Sequence, residues 1–350
     1  MKRIRIGIVG LGWVSTHRHL PAFRRNRRFE IVGVVDRDAN LAASVARRFG
    51  IPEHAGGTSV EEIPWLDRVD AIDVVTAPQS HHPLIRDALR AGKHVITEKP
   101  FAMTLSQGEE LVTLAAEQRK VLAIVHNFQF ASSTRKLLLD IDNGAIGPVR
   151  ALIATQWGSP QRRLPTWYQQ LPTGLFFDES PHLLYLLRRL APGPLRLSSL
   201  DHCASTVGNR TPAAIDASYR CNSPYGEIPV TLSCRFEAPL SEWHVAVLGD
   251  RAAGIIDVFR DIYLRLPSDG AHVTSTVLRT SWMATAMHWA GYLVNGPLHL
   301  SGRLLYGNET VFERFGRAVT EGGVPEGISA TDALDVLRMQ HEIISRVEPT

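Results

Sequence analysis

Three places in this sequence hold residue types and spacings able to carry redox chemistry. The first is Gly10-Leu11-Gly12, which closes an apolar run (Ile4, Ile6, Ile8, Val9) and opens a helix-compatible segment. Gly10 permits a tight turn, and Gly12 lets the backbone approach a pyrophosphate, an anion that the free N–H groups of the next helix hold. Ser15 stands where a third glycine is usual, and it is small enough for close helix–strand packing. The second place is Glu98-Lys99-Pro100. Proline confines the residue before it to extended geometry, so the backbone aims Lys99. A lysine held there hydrogen-bonds a substrate hydroxyl and stabilises the charge that develops on oxygen as hydride moves. The third place runs from Gly174 to Tyr185. With Asp178 in a helix, Asp178, His182 and Tyr185 share one face at i, i+4 and i+7. Histidine takes the hydroxyl proton on oxidation and returns it on reduction, while a nearby carboxylate orients the imidazole or grips another substrate hydroxyl. Pro181 is expected only in a first turn, so either Asp178 is itself the cap, or Ser180 caps a helix starting at Pro181 and Asp178 lies outside it.

The elements that must position these residues alternate strand and helix. Val14 to Arg24 reads as a helix, interrupted or restarted at Pro21, and Glu30 to Asp36 as the second strand. Asp36 lies about 20 residues beyond the glycines, where a carboxylate accepts hydrogen bonds from the adenosine ribose. Arg37 follows and could attract a 2′-phosphate, so NAD is the expected cofactor and NADP stays open. Ala71 to Thr76 is a buried strand leading into the loop Ala77 to His82, and Lys93 to Thr97 is the strand that ends at Glu98. Val121 to Val125 is the last strand of this half. Such repeated units imply a parallel sheet with helices on both faces and ligands beyond the carboxyl ends of the strands. From Val149 the strands lengthen and alternate (149–157, 218–221, 229–236, 243–248, 254–259 and 262–266), which predicts an antiparallel or mixed sheet. Helices are expected at 132–142, 281–294, 311–320 and 332–347.

Length and composition bound the rest. A chain of 350 residues is expected to form two domains. Hydrophobic content of 44%, charged content of 21% and a net charge of +3 are those of a globular protein with no electrostatic call on nucleic acid or an anionic membrane. Lys2, Lys93, Lys99, Lys120 and Lys136 are the only lysines, which narrows the choice of a catalytic one. Cys203, Cys221 and Cys234 are odd in number and widely spaced, so neither a disulfide framework nor a zinc or other metal site is indicated. The first strand begins near Ile4 and no long apolar run appears, so neither a signal peptide nor a membrane span is expected and a cytoplasmic location fits.

The set of motifs resembles the glucose–fructose oxidoreductase / inositol 2-dehydrogenase / rhizopine-catabolism family, known as Gfo/Idh/MocA. It runs through the glycine turn, Val34 to Asp38, Ala77 to His82, Gly92 to Pro100, His126 to Phe130, Ile141 to Val149 and Asp178 to His182, and so covers residues 1 to about 185. The resemblance implies an α/β chain: a Rossmann domain over 1–126, then an α+β domain over 127–350 with a large open, mostly antiparallel sheet. The second domain would bind substrate and build a homodimer or homotetramer, and the C-terminal helix could pack back on the first. It also implies NAD(P)-dependent oxidation or reduction of a sugar, cyclitol or related polyol. Carried over by position, His182 is the acid/base, Lys99 the polariser of the reacting oxygen and Asp178 the substrate-orienting carboxylate. Cofactor contacts fall on Gly10, Leu11, Gly12, Trp13, Val14, Asp36, Arg37, Thr76, Ala77, Pro78, His82, Glu98, Lys99 and Asn127. Arg162, Arg163, Trp167, Tyr168 and Tyr185 are candidates for the substrate side. The sequence departs from the family pattern at Ala77, Gln129, Pro181 and Tyr185, the last replacing a second acid, which puts a simple inositol or glucose substrate in doubt. Two other activities fit the same motifs: a glycosidase that uses NAD for transient oxidation and elimination, and a non-catalytic nucleotide-binding protein.

Overall fold

The computed structural model of the chain describes residues 3–162 and 164–348. In chain order, β1 (Ile4–Val9) leads through a π-helical turn (Ser15–His19) into α1 (Leu20–Arg25), β2 (Phe29–Asp36) and α2 (Ala39–Phe49). Then come β3 (Glu53–Gly56), β4 (Ala71–Val74), α3 (His81–Arg90), β5 (His94–Thr97), α4 (Leu105–Glu117) and β6 (Leu122–Ile124). The second half holds α5 (Ser132–Asp142), β7 (Val149–Trp157), α6 (Leu175–Leu190), β8 (Leu195–Cys203), β9 (Ala214–Ser223) and β10 (Gly226–Arg235). It continues with β11 (Glu242–Gly249), β12 (Ala252–Asp257), β13 (Ile262–Pro267), α7 (Thr274–Leu300), α8 (Asn308–Glu321) and α9 (Ala330–Val347).

Two compact units result. The first runs to Asn127 and takes up Gly307–His341; the second is Phe128–Tyr306 with the chain from Glu342 onward. In the first, six parallel strands lie in the order β3-β2-β1-β4-β5-β6. The order reverses beside β1, and the crevice beyond the carboxyl ends at such a reversal is where a dinucleotide binds. Ile6, Ile8, Val34, Ile72, Val74, Val95 and Ile96 have almost no exposure, as strands covered on both faces require. Leu334 and Leu337 of α9 join that core with Leu111 of α4. Local signals agree with the elements: Asp38 caps α2 by accepting from Asn40 and Leu41 N–H groups, and Gly50 ends it at φ 64°.

The second unit holds seven strands in the order β13-β12-β11-β7-β10-β9-β8, antiparallel apart from the β7–β10 pair. Alternation along β7 buries Leu152, Ala154 and Gln156 and leaves Ile153 and Trp157 exposed, so this sheet has one covered and one open face. The structure is therefore α/β, a parallel Rossmann sheet followed by a mainly antiparallel one.

Candidate active site

The glycine turn sits at the carboxyl end of β1. Gly10 has φ +93°, and a Cβ there would fall 2.5 Å from the Val75 carbonyl, so no other residue fits without displacing backbone. Gly12 is the opposite case, because a Cβ would meet nothing within 4 Å. That open space over exposed backbone is what an incoming pyrophosphate needs. Trp13 and Val14 stand exposed at the start of the helical segment, with Trp13 stacked on His17 at 4.9 Å. Asp36, at the end of β2, accepts the Leu11 N–H through Oδ2 at 2.8 Å and the Asp38 N–H through Oδ1 at 3.0 Å. Its part-exposed carboxylate thus ties the turn to the second strand, and Arg37 beside it is exposed. After β4, the Ser80 hydroxyl donates to Thr76 Oγ1 at 2.8 Å, and buried Pro78 follows Ala77 to open the short turn Pro78–Ser80. These residues fit a nicotinamide dinucleotide in shape, in backbone donors and in the acid at the ribose position.

The histidine pair in the next loop divides differently from expectation. His82, read as a cofactor contact, turns its Nε2 to Glu110 Oε2 at 2.8 Å on α4. His81 is the fully buried one, with Nδ1 2.8 Å from the Pro100 carbonyl and Nε2 3.1 Å from that of Thr76. Burial pushes His81 down, toward the neutral ring. It joins the loop after β4 to the loop after β5, and a one-residue register decides which histidine does so.

Glu98 and Lys99 follow β5 directly, and Lys99-Pro100 is a cis peptide bond. Glu98 Oε2 accepts the Lys99 backbone N–H at 3.1 Å, while Oε1 faces the ring of His19. His19 and its other partner Asp73 were invisible as site residues, since 54 and 79 residues separate His19 from Asp73 and Glu98. Asn127, just after β6, is buried.

In the second unit α6 begins at Leu175, whose N–H donates to Thr211 Oγ1 at 2.9 Å, so Asp178 is in the first turn and Pro181 lies inside the helix. Neither cap left open by the sequence is the one found: the cap is Gly174, three residues of helix precede Asp178, and Asp178, His182 and Tyr185 share a single helix. His182 Nδ1 lies 2.9 Å from the Tyr185 hydroxyl, which also accepts the Phe128 N–H at 3.0 Å. Phe128 and Trp243 flank the imidazole, with ring centroids 4.9 Å and 5.5 Å away. Tyr185 was expected on the substrate side; it is buried, and its hydroxyl holds His182 and backbone instead. Glu179, unremarked in the sequence, is buried beside Asp178 and accepts from Gln156 Nε2 at 2.5 Å and from the Arg162 guanidinium. Arg162 is thereby fixed to the helix. Trp167 and Tyr168 lie half-buried in the short helix Thr166–Gln170, and Arg163 lies outside the described residues.

Residues 4–126 match the family model described as an oxidoreductase family with an NAD-binding Rossmann fold, Gfo/Idh/MocA. This stretch belongs to that family. A dTDP-3,4-didehydro-2,6-dideoxy-alpha-D-glucose 3-reductase of Streptomyces violaceoruber is 32% identical over 200 residues, 56% of this chain and 57% of that one. A 1,5-anhydro-D-fructose reductase of Ensifer adhaerens is 35% identical over 205 residues, 57% of this chain and 60% of that one. Alignment with the first of these curated relatives thus spans little more than half of their length. A 3-ketoreductase from Actinomadura kijaniata, solved with NADP and TDP-benzene, has the same fold, with a TM-score of 0.73, 20% identity, and coverage of 98% of this chain and 97% of that one. The Gfo/Idh/MocA stretch carries the strand-end loops described above from Gly10 to Lys99. Among the described residues no helix is long and apolar enough to cross a membrane.

Proposed function

We propose that this chain is an NAD(P)-dependent oxidoreductase that interconverts a hydroxyl and a keto group on a sugar, cyclitol or related polyol. The observation that carries the reading is the placement of Lys99: it follows β5 in the same sheet whose β1 and β2 ends carry the glycine turn and Asp36. Resemblance to two sugar-ketone reductases supports keto sugars as the first substrate class. We assign dinucleotide binding to the first unit, 1–126 with the returning helices of 307–341, and substrate binding and oligomerisation to the rest of 127–350.

When bound, the nicotinamide supplies the hydride acceptor or donor. Gly10, Leu11, Gly12, Trp13 and Val14 take the pyrophosphate, and Asp36 the adenosine ribose, which favours NAD because its carboxylate repels a 2′-phosphate. Thr76, Ala77, Pro78, Glu98 and Asn127 complete the cofactor side. Lys99 Nζ donates to the reacting oxygen and stabilises negative charge on it. His182, oriented at Nδ1 by Tyr185, exchanges the proton of that oxygen through Nε2, while Asp178 orients the substrate. Arg163, Trp167 and Tyr168 are assigned to the substrate side, and a second copy of the chain to the open face of the C-terminal sheet and its flanking helix α7. The test is a panel of keto sugars and polyols with NAD(H) and NADP(H), followed by nicotinamide absorbance. Turnover of at least one member supports the reading. Nucleotide binding with no turnover of any favours the non-catalytic alternative, and cleavage of an aryl glycoside without net NADH favours the glycosidase.

A further inference from the structure

One buried polar cluster in the nucleotide-binding unit joins Glu98 to two residues, His19 and Asp73, that have no part in the assignments above. His19 ends the π-helical turn and is fully buried. Its Nδ1 lies 2.8 Å from Asp73 Oδ2 on β4, and its Nε2 lies 2.9 Å from Glu98 Oε1 beyond β5. Phe23 of α1 and Phe312 of α8 pack edge-on against the ring, with centroids 6.4 Å and 5.0 Å away. A neutral imidazole carries one N–H, so it would present a bare lone pair to one of the two carboxylates. The imidazolium donates to both.

Burial opposes that charge, but the charge of Asp73 and the hydrogen bonds to Asp73 and Glu98 outweigh it and hold His19 up at about 10. Burial likewise opposes the charge on Glu98, and the contact from His19, with Lys99 nearby, holds it below the usual carboxylate range. Burial pushes Asp73 up. His81 is the other titratable group near Glu98, and its burial favours the neutral ring. Unpaired, two carboxylates this close in a dry interior would repel each other and drive Glu98 outward.

Glu98 has a second attachment. Its Oε2 accepts the Lys99 N–H at 3.1 Å, so a line of contacts runs from the helical turn after Gly12, through His19 and Glu98, to the Lys99 backbone. The π-helical turn is what brings His19 inward, one residue before α1 begins with Leu20 and Pro21.

We propose that His19 is a positioning residue: donating from both ring nitrogens, it clamps Asp73 and Glu98 so that Glu98 holds the Lys99 backbone in one orientation. Its value to catalysis rests on the role given to Lys99 above; the clamp itself does not. The test uses the full chain and no substrate. Lysine-selective nitrogen-15 labelling gives amide signals for five lysines, with Lys99 identified by Lys99→Arg. In His19→Phe, which keeps an aromatic ring against Phe23 and Phe312, the Lys99 amide is expected to exchange about tenfold faster, the net worth of one hydrogen bond. The Lys93 and Lys120 amides, bonded to the Ala88 and Ala115 carbonyls, keep their rates. An unchanged Lys99 amide overturns the clamp, and so does equal acceleration of all three, which marks general loosening. If His19→Phe does not fold, the wild type decides: imidazole nitrogen-15 spectra are expected to show a histidine with both ring nitrogens protonated up to about pH 9. Its absence overturns the proposal. Full turnover by Lys99→Ala, with the amide responding as expected, leaves the clamp standing and removes the role of Lys99.

Discussion

At the scale of single residues, Tyr185 changes how the helix face of α6 is read. The family pattern has an acid there, whereas this chain sets a phenol 2.9 Å from His182 Nδ1, fixed in turn by the Phe128 N–H. Tyr185→Phe removes that partner but keeps the packing, and is expected to lower kcat about tenfold with nucleotide affinity unchanged. Lys99→Ala and His182→Ala are expected to lower turnover by about 10²- to 10⁴-fold, again with nucleotide affinity largely kept; steady-state rates and a fluorescence titration with NADH check both. Full turnover in either would remove that residue's role. The legible residues were those whose partners are near in sequence: the glycine turn, Glu98-Lys99-Pro100, and the spacing of Asp178, His182 and Tyr185. Long-range pairs were not legible. His19 meets Asp73 and Glu98 only because the sheet sets β1, β4 and β5 side by side, and Glu179 meets Gln156 only because α6 covers β7. Likewise Arg25 and Arg28 pair with Glu309, Glu313 and Glu321 of α8, far away in the sequence.

At the scale of elements, the two glycines of the turn separate stability from binding. Gly10→Ala places a Cβ 2.5 Å from the Val75 carbonyl at φ +93°, and is expected to lower the thermal midpoint sharply. Gly12→Val meets no protein atom within 4 Å, so it is expected to leave the midpoint nearly unchanged and to weaken NADH binding. Equal effects of the two on the midpoint would contradict the assignment of the turn. Strand β5 supplies a pH test. His94 Nδ1 accepts the Val121 N–H at 3.0 Å, and burial, aided by the Lys120 charge, pushes the ring down to about 4. Because the unfolded chain takes up this proton near pH 6.5 and the folded one resists it, stability is expected to fall as pH drops from about 6.5 to about 4. Urea midpoints across that range should fall less in His94→Leu. Strand β8 and the start of α6 escaped the sequence reading for physical reasons. Strand β8 (Leu195–Cys203) is an edge strand with mostly exposed residues, so it lacks the apolar alternation that marks a strand. Pro181 was given a place only in a first turn, but α6 starts at Leu175 and carries it in the interior.

At the scale of the whole molecule, the mixture of helix period and strand alternation made both sheets legible, because each sheet's pattern reports how many of its faces are covered. The extent of α7 was not. Its 27 residues include Trp282, Leu293 and Leu300 at 78%, 68% and 89% exposure, with apolar side chains around the circumference rather than on one stripe. Such a helix normally lies inside an assembly. The double variant Trp282→Glu, Leu293→Glu is expected to convert an oligomer to monomer in light scattering, with the circular dichroism kept; an unchanged mass would rule out α7 as the contact. The proposed chemistry has a more direct test. NADH deuterated on the hydride-bearing carbon of the nicotinamide ring is incubated with the keto-sugar panel, and the products are analysed by mass spectrometry. Stoichiometric appearance of one deuterium on a carbinol carbon, lost in Lys99→Ala and His182→Ala, is the predicted result. Tight NADH binding with no deuterium in any product across the panel would contradict it.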